Sequence, residues 1–217
     1  MPFSARILRV TKTYIVSGTD TGIGKTAVAA MLTLALDALY WKSIQSGTED
    51  GTDRQRVQAL TALPDDRVLP ERYILSQPLS PHRAAELDGI ELDADPFPLP
   101  KADKTLIVEG VGGLMVPITR QKLQIDIFAA WNLPIILCAR TGLGTINHTL
   151  LSIEALRKRN MPLHGVIFVG EDNPDNMRTI ADFSGSRILG HMPHLDIIDR
   201  AALLRVFKKR FQIKDFA

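Results

Sequence analysis

Residues 18–26 read Gly-Thr-Asp-Thr-Gly-Ile-Gly-Lys-Thr, and this stretch decides the fold. Directly before it, Thr-Tyr-Ile-Val-Ser at 13–17 is a β-rich run ending in a glycine turn. Directly after it, residues 25–39 have helical apolar spacing, with Val28, Met31, Leu32 and Ala35 on one face. Small residues between a strand and a helix let backbone N–H groups close around phosphate oxygens. The helix start adds its partial positive charge. Lys25 can reach terminal phosphates, and the Thr26 hydroxyl can bind Mg2+. The spacing is a variant of the phosphate-loop pattern: Thr19 occupies its first glycine position and Gly18 lies one residue early. Strand, loop, Gly-Lys-Thr and helix in register argue against a glycine turn that merely caps a helix.

Outward from the loop, short apolar runs alternate with helical patterns. Strands are expected at 41–45, 105–108, 134–139, 165–169 and 187–190, and helices at 53–63, 124–131, 146–158 and 198–211. Several strands are continuously apolar, as in a parallel sheet covered on both faces. The fold class is therefore α/β, a parallel sheet flanked by helices, of the phosphate-loop nucleoside triphosphate hydrolase class. Residues 92–104 hold three prolines and read as a surface connection inside one domain spanning 1–217.

Composition narrows the class further. Hydrophobic residues make up 45% and charged residues 23% of the 217, which excludes disorder and collagen-like structure. Cys138 is the only cysteine, so an intrachain disulfide and a multi-cysteine zinc site are excluded and a cytoplasmic, reducing setting fits. A formal charge of +2 gives no case for nucleic acid or an anionic membrane. No apolar run approaches the roughly 20 residues of a spanning helix. Residues 1–13 lack a continuous apolar segment and read as a leader into the first strand rather than a signal peptide.

Two acids complete a metal site with Thr26. Glu109 follows a strand directly, at the sheet edge where open α/β sheets hold ligands. Asp53 opens a helix and reads equally well as a ligand or as an N-cap or first-turn acid. Mg2+ needs only such a small oxygen set beside phosphates and water. Taken alone, Lys42 reads as a surface lysine, Cys138 as an inert core residue, and His191 with His194 as a structural loop pair despite metal-like spacing.

GTDTGIGKT, YWKSIQSG, TEDGTD, LSPH, VEGVGGLMVPI and GLGTINHTLLSIEAL occur in an order that resembles the dethiobiotin synthetases, from about residue 14 to 195. The resemblance implies an ATP- and Mg2+-dependent cyclo-ligase, working as a homodimer on 7,8-diaminononanoate and CO2. A carbamate would attack the γ-phosphate of ATP, and the resulting carbamic–phosphoric anhydride would close to the cyclic urea. It implies that Thr26, Asp53 and Glu109 are the metal ligands, and that Lys25 and Lys42 neutralise phosphate and carbamate. Thr21 and Ser46 would lie near the diamine and carbamate. Gly22, Ile23, Gly24, Ala27, Gly110, Val111 and Gly112 would surround the phosphates. Gly142, Leu143, Gly144, Thr145, Ile146 and Asn147 would hold the substrate carboxylate across the dimer interface. Val169, Gly170, Pro193, His194 and Leu195 would line the nucleotide.

Departures from the family pattern are few. Ser43 stands where proline is frequent, and Gly22 where some members carry an acid. Val169 stands where an asparagine often contacts adenine, and it cannot make amide hydrogen bonds, so softer base selectivity is expected. The competing reading is a regulatory partitioning-type ATPase acting through a protein partner. Such proteins usually carry an extra lysine early in the phosphate loop, where this chain has Thr19, Asp20 and Thr21.

Overall fold

The computed structural model describes residues 11–216; the leader expected at 1–13 lies almost wholly outside them. Strand β1 (Thr13–Gly18) leads through the loop into helix α1 (Lys25–Ala35). Then follow β2 (Leu39–Lys42), β3 (Ile44–Ser46), α2 (Asp53–Thr61), β4 (Val68–Leu69), β5 (Tyr73–Leu75) and α3 (Pro81–Asp88). The second half holds β6 (Leu106–Gly113), α4 (Gln124–Trp131), β7 (Ile135–Arg140), α5 (Thr145–Lys158), β8 (Leu163–Val169), α6 (Pro174–Ser184), β9 (Ile188–Met192) and α7 (Arg200–Arg210).

Seven strands form one parallel sheet in the order β4-β2-β6-β1-β7-β8-β9. Side chains alternate across it. Tyr14, Val16, Tyr40, Ile107, Ile136 and Cys138 pack on one face with α1 and α7; Ile15, Trp41, Val108, Leu137 and Phe168 pack on the other with residues of α3, α4, α5 and α6. Both faces are covered, which is why the strands read as continuous apolar runs. Parallel strands all end at one edge, so the phosphate loop, Lys42, Glu109, Arg140, Val169 and Met192 collect there, with β1 in the centre.

The structure corrects several expected elements. Helix α1 stops at Ala35 rather than 39, because Asp37 turns left-handed (φ 51°) and the chain re-enters the sheet at Leu39. The single strand expected at 41–45 is two: β2 ends at Lys42, and β3 pairs with β5 in a separate two-stranded sheet. Strand β6 continues through its glycines, since Gly113 pairs with Gly18. Helices α3 and α6 are additional to the helices expected from the apolar spacing. Residues 92–104 are less peripheral than a surface connection: Phe97 is buried against Trp41, Tyr73 and Trp131, and Trp131 Nε1 donates to its carbonyl.

Candidate active site

The loop after β1 needs glycine at two left-handed positions, Gly22 (φ 67°) and Gly24 (φ 90°). At Gly24 a Cβ would also lie 2.9 Å from Val169 Cγ1. The loop is therefore pressed against the end of β8. Lys25 is buried at the start of α1, and its ammonium donates to the Asp20 carbonyl across the loop at 2.9 Å. Burial and then the neighbouring Lys42 charge lower its pKa below the ordinary lysine value.

Strand register builds the charged centre. In the β2–β6 ladder Lys42 stands opposite Glu109. Lys42 Nζ lies 3.0 Å from Glu109 Oε1, 2.6 Å from Asp53 Oδ2 and 3.2 Å from the Gly110 carbonyl. Burial opposes this charge, but Glu109 and Asp53 outweigh it and hold the Lys42 pKa above its ordinary value. Burial likewise opposes ionisation of Asp53, and Lys42 with the Thr26 hydroxyl outweighs it, so its pKa is lowered. The surface-lysine reading of Lys42 is thus overturned by the sheet, which puts it among the least exposed charges of the described residues.

Thr26 Oγ1 lies 3.1 Å from Asp53 Oδ1 and 2.9 Å from Glu109 Oε1. One hydroxyl proton cannot serve both carboxylates at once. Three oxygens thus converge with a surplus of lone pairs, a donor set that fits Mg2+. Asp53 is not the N-cap of α2: Thr52 caps it, in a capping box with Gln55, which leaves the Asp53 carboxylate for the site. Among the described residues no group of three or more His, Cys, Asp or Glu is placed to hold a metal. His191 instead bonds the Gly170 carbonyl, at 2.8 Å.

A cleft of about 520 Å³ opens over this centre. Thr21, Gly22, Ile23, Gly24, Lys25, Thr26, Ala27, Lys42, Ser46, Asp53, Glu109, Val111 and Gly112 all line it. The Ser46 hydroxyl is shielded from solvent and has no hydrogen-bond partner in the protein. A second cavity, about 490 Å³, lies on the far side of the loop and shares Gly22, Ile23, Gly24 and Ala27 with the first. Val169, Gly170, Pro193, His194 and Leu195 line it, together with Gly142. Leu143, Gly144, Thr145, Ile146 and Asn147 line neither cavity. Thr145 turns its hydroxyl to the Arg140 carbonyl, and Leu143 is fully exposed.

Sequence reasoning missed several residues that hold this site in shape. Gln124 is buried; its Oε1 accepts from Val111 N–H and its Nε2 donates to the Gly113 carbonyl, clamping the loop after Glu109. Gln45 accepts from Asp53 N–H and donates to the Gly47 carbonyl. Tyr40 OH donates to Glu109 Oε2 at 2.8 Å, and burial followed by the Glu109 charge pushes its pKa well up. Glu49, Asp50 and Arg56 add charge to the first cleft, and Arg140 and Glu171 to the second. The only signal in the sequence is a polar group within an apolar run at Tyr40, between Leu39 and Trp41; Gln45, among Ser43, Ser46 and Gly47, carries none.

Parallel sheet, phosphate loop and buried lysine–carboxylate centre define a phosphate-loop enzyme of the nucleoside triphosphate-using class. A family model described as an AAA domain matches residues 12–202. The ATP-dependent dethiobiotin synthetase of Rhodopseudomonas palustris (strain TIE-1) is 55% identical over 202 residues, covering 93% of this chain and 95% of the relative. That of Novosphingobium aromaticivorans is 53% identical over 204 residues, covering 94% and 98%. The chain belongs to the ATP-dependent dethiobiotin synthetase family and is an ATP-dependent ligase of the cyclo-ligase kind.

Solved structures with the same fold include the septum site-determining protein MinD of Pyrococcus horikoshii, 16% identical with TM-score 0.51, covering 90% of this chain and 85% of that one. A plasmid partition protein of Borrelia burgdorferi is 13% identical with TM-score 0.51, covering 92% and 98%. These likenesses show the fold alone; the relatives at 53–55% identity over 93–94% of the chain decide against the partitioning reading. Among the described residues no helix is long and apolar enough to cross a membrane.

Proposed function

We propose that this chain, acting as a single domain in the cytoplasm, carboxylates 7,8-diaminononanoate with CO2 and closes the product to dethiobiotin, with ATP converted to ADP and phosphate. The observation that carries this reading is the pair of cavities on either side of one phosphate loop. The second takes the nucleoside. The first takes the diamine and CO2 beside Lys25, Lys42 and the unpartnered Ser46 hydroxyl.

One amine adds to CO2 and loses a proton, giving a carbamate. Lys42 and Ser46 face that anion, and Thr21 lies at the same cleft. The carbamate oxygen attacks the γ-phosphorus and ADP leaves. Lys25 and the backbone N–H groups of residues 22–27 stabilise charge spreading over the phosphoryl oxygens. The second amine then attacks the carbamoyl carbon, phosphate leaves, and the cyclic urea forms. Thr26, Asp53 and Glu109 would hold Mg2+, which when bound neutralises phosphate charge. The half-enclosed cleft limits hydrolysis of the anhydride by keeping bulk water from its carbonyl.

Residues 142–147 do not line the first cleft of their own chain, and Met115 and Leu151 are exposed apolar residues lining a third cavity that reaches Thr21. This supports a homodimer in which residues 142–147 of one copy serve the substrate of the other. The test of the function is ADP release with diaminononanoate and bicarbonate present together or singly. Release dependent on both, with dethiobiotin formed in equal amount, is expected. ADP release indifferent to the diamine rejects the reading.

A further inference from the structure

Strand β2 carries a tyrosine where its packing asks only for an apolar ring. Tyr40 is fully buried, on the sheet face of Tyr14, Val16, Ile107 and Ile136, among apolar side chains of α1. Phenylalanine would fill the same space without burying a hydroxyl, which is unfavourable unless partnered. The partner here is Glu109: Tyr40 OH donates to Oε2 at 2.8 Å. Strand period explains the contact. Tyr40 and Lys42 are two residues apart, hence on one face, and the β2–β6 register sets Lys42 opposite Glu109. The two β2 side chains thus take one carboxylate oxygen each: Tyr40 binds Oε2, and Lys42 and Thr26 meet Oε1.

We propose that Tyr40 is a positioning residue for the cation site: by engaging Glu109 Oε2 it fixes the carboxylate plane so that Oε1 is presented beside Thr26 Oγ1 and Asp53 Oδ1. This rests on the reading of Glu109 as a metal ligand. A carboxylate free to rotate about its last torsion would present either oxygen, or neither, to a cation. Hydrogen-bonded partners of ligating carboxylates commonly set metal affinity in this way.

The test measures Mn2+ binding to the ADP complex by electron paramagnetic resonance, with metal-free ADP affinity alongside, in wild type, Tyr40→Phe and Glu109→Gln. Tyr40→Phe is expected to weaken Mn2+ binding by about 10- to 100-fold. It should leave metal-free ADP affinity within about twofold, since Tyr40 lines neither cavity and its hydroxyl bonds Glu109 rather than a phosphate-loop group. Equal losses of both affinities would show general loosening and overturn the proposal. So would unchanged Mn2+ affinity in Tyr40→Phe while Glu109→Gln loses it. If Glu109→Gln itself keeps wild-type affinity, the ligand reading falls and the proposal with it. Should Tyr40→Phe not fold, the wild type answers instead. The chain has three tyrosines, Tyr14, Tyr40 and Tyr73, assignable in ring-labelled protein by nuclear magnetic resonance. Mg2+ added to the ADP complex should move the Tyr40 signal and leave the other two; an unmoved Tyr40 signal overturns the proposal.

Discussion

Replacing Lys42 with methionine keeps an unbranched stem and removes the one cation that bridges Asp53 and Glu109. Two carboxylates, one buried and one largely so, would then face each other across the Thr26 hydroxyl, left with the weaker support of the Tyr40 hydroxyl on Glu109 and of the Arg56 guanidinium 3.9 Å from Asp53. Removing one partner of a buried ion pair costs about 3–5 kcal/mol. For a chain of this length each kcal/mol lowers the melting temperature by about 2–4 °C, so a drop of about 6–20 °C is expected in EDTA. Mg2+ should narrow that gap, because the variant has no ammonium competing for the same oxygens.

The pH dependence carries a sign at each end. The folded-state pKa of Lys42 is raised, so its contribution is complete below the unfolded value, about 10.4, and is lost as pH rises through the folded value. That of Asp53 is lowered, so its contribution is complete above its unfolded value, about 3.9, and is lost as pH falls through the folded one. The wild-type advantage should therefore be flat between about pH 5 and 9 and shrink outside. Thermal unfolding by circular dichroism, with EDTA or Mg2+ across this range, is the assay. A melting temperature within about 2 °C of wild type in EDTA, less than 1 kcal/mol here, would refute the reasoning. So would a gap that Mg2+ leaves unchanged.

Lys25→Ala should behave differently: its ammonium bonds one loop carbonyl, so turnover should fall at least about 100-fold with little change in melting temperature. Competition assays should find the preference for ATP over GTP, CTP and UTP several-fold to about tenfold weaker than in relatives that keep the asparagine, since a lost base hydrogen bond is worth about 0.5–1.5 kcal/mol, and Val169→Asn should sharpen the preference by the same factor. A many-thousandfold ATP preference in the wild type would mean that other groups of the second cavity read the base. Mixing an inactive Lys25 variant with an inactive Asn147 variant should restore activity toward one working site per mixed dimer. No recovery after demonstrated subunit exchange would leave a site built within one chain.

The phosphate loop, the apolar strands and the order of the main elements were legible in the sequence because each is a local pattern. Residues 18–26 need only their own backbone and the following helix to cradle phosphate, and continuous apolar runs at 134–139 and 165–169 state that both sheet faces are covered. Two further helices are equally legible: Ser80-Pro81 with Gly89, and Asn173-Pro174 with Gly185, are start and stop signals that the structure uses. The roles of Lys42 and Tyr40 lay beyond local reading. Glu109 is 67 residues from Lys42 and 69 from Tyr40, and only the parallel register of β2 on β6 sets them side by side. The same holds for Gln124, whose amide reaches back 13 residues to clamp the loop after Glu109. A sequence fixes which residues are able to carry charge or donate a hydrogen bond. Burial and strand register, which exist only in the folded chain, decide which charge must be paired, which oxygen is left free, and therefore where a cation and a phosphate can sit.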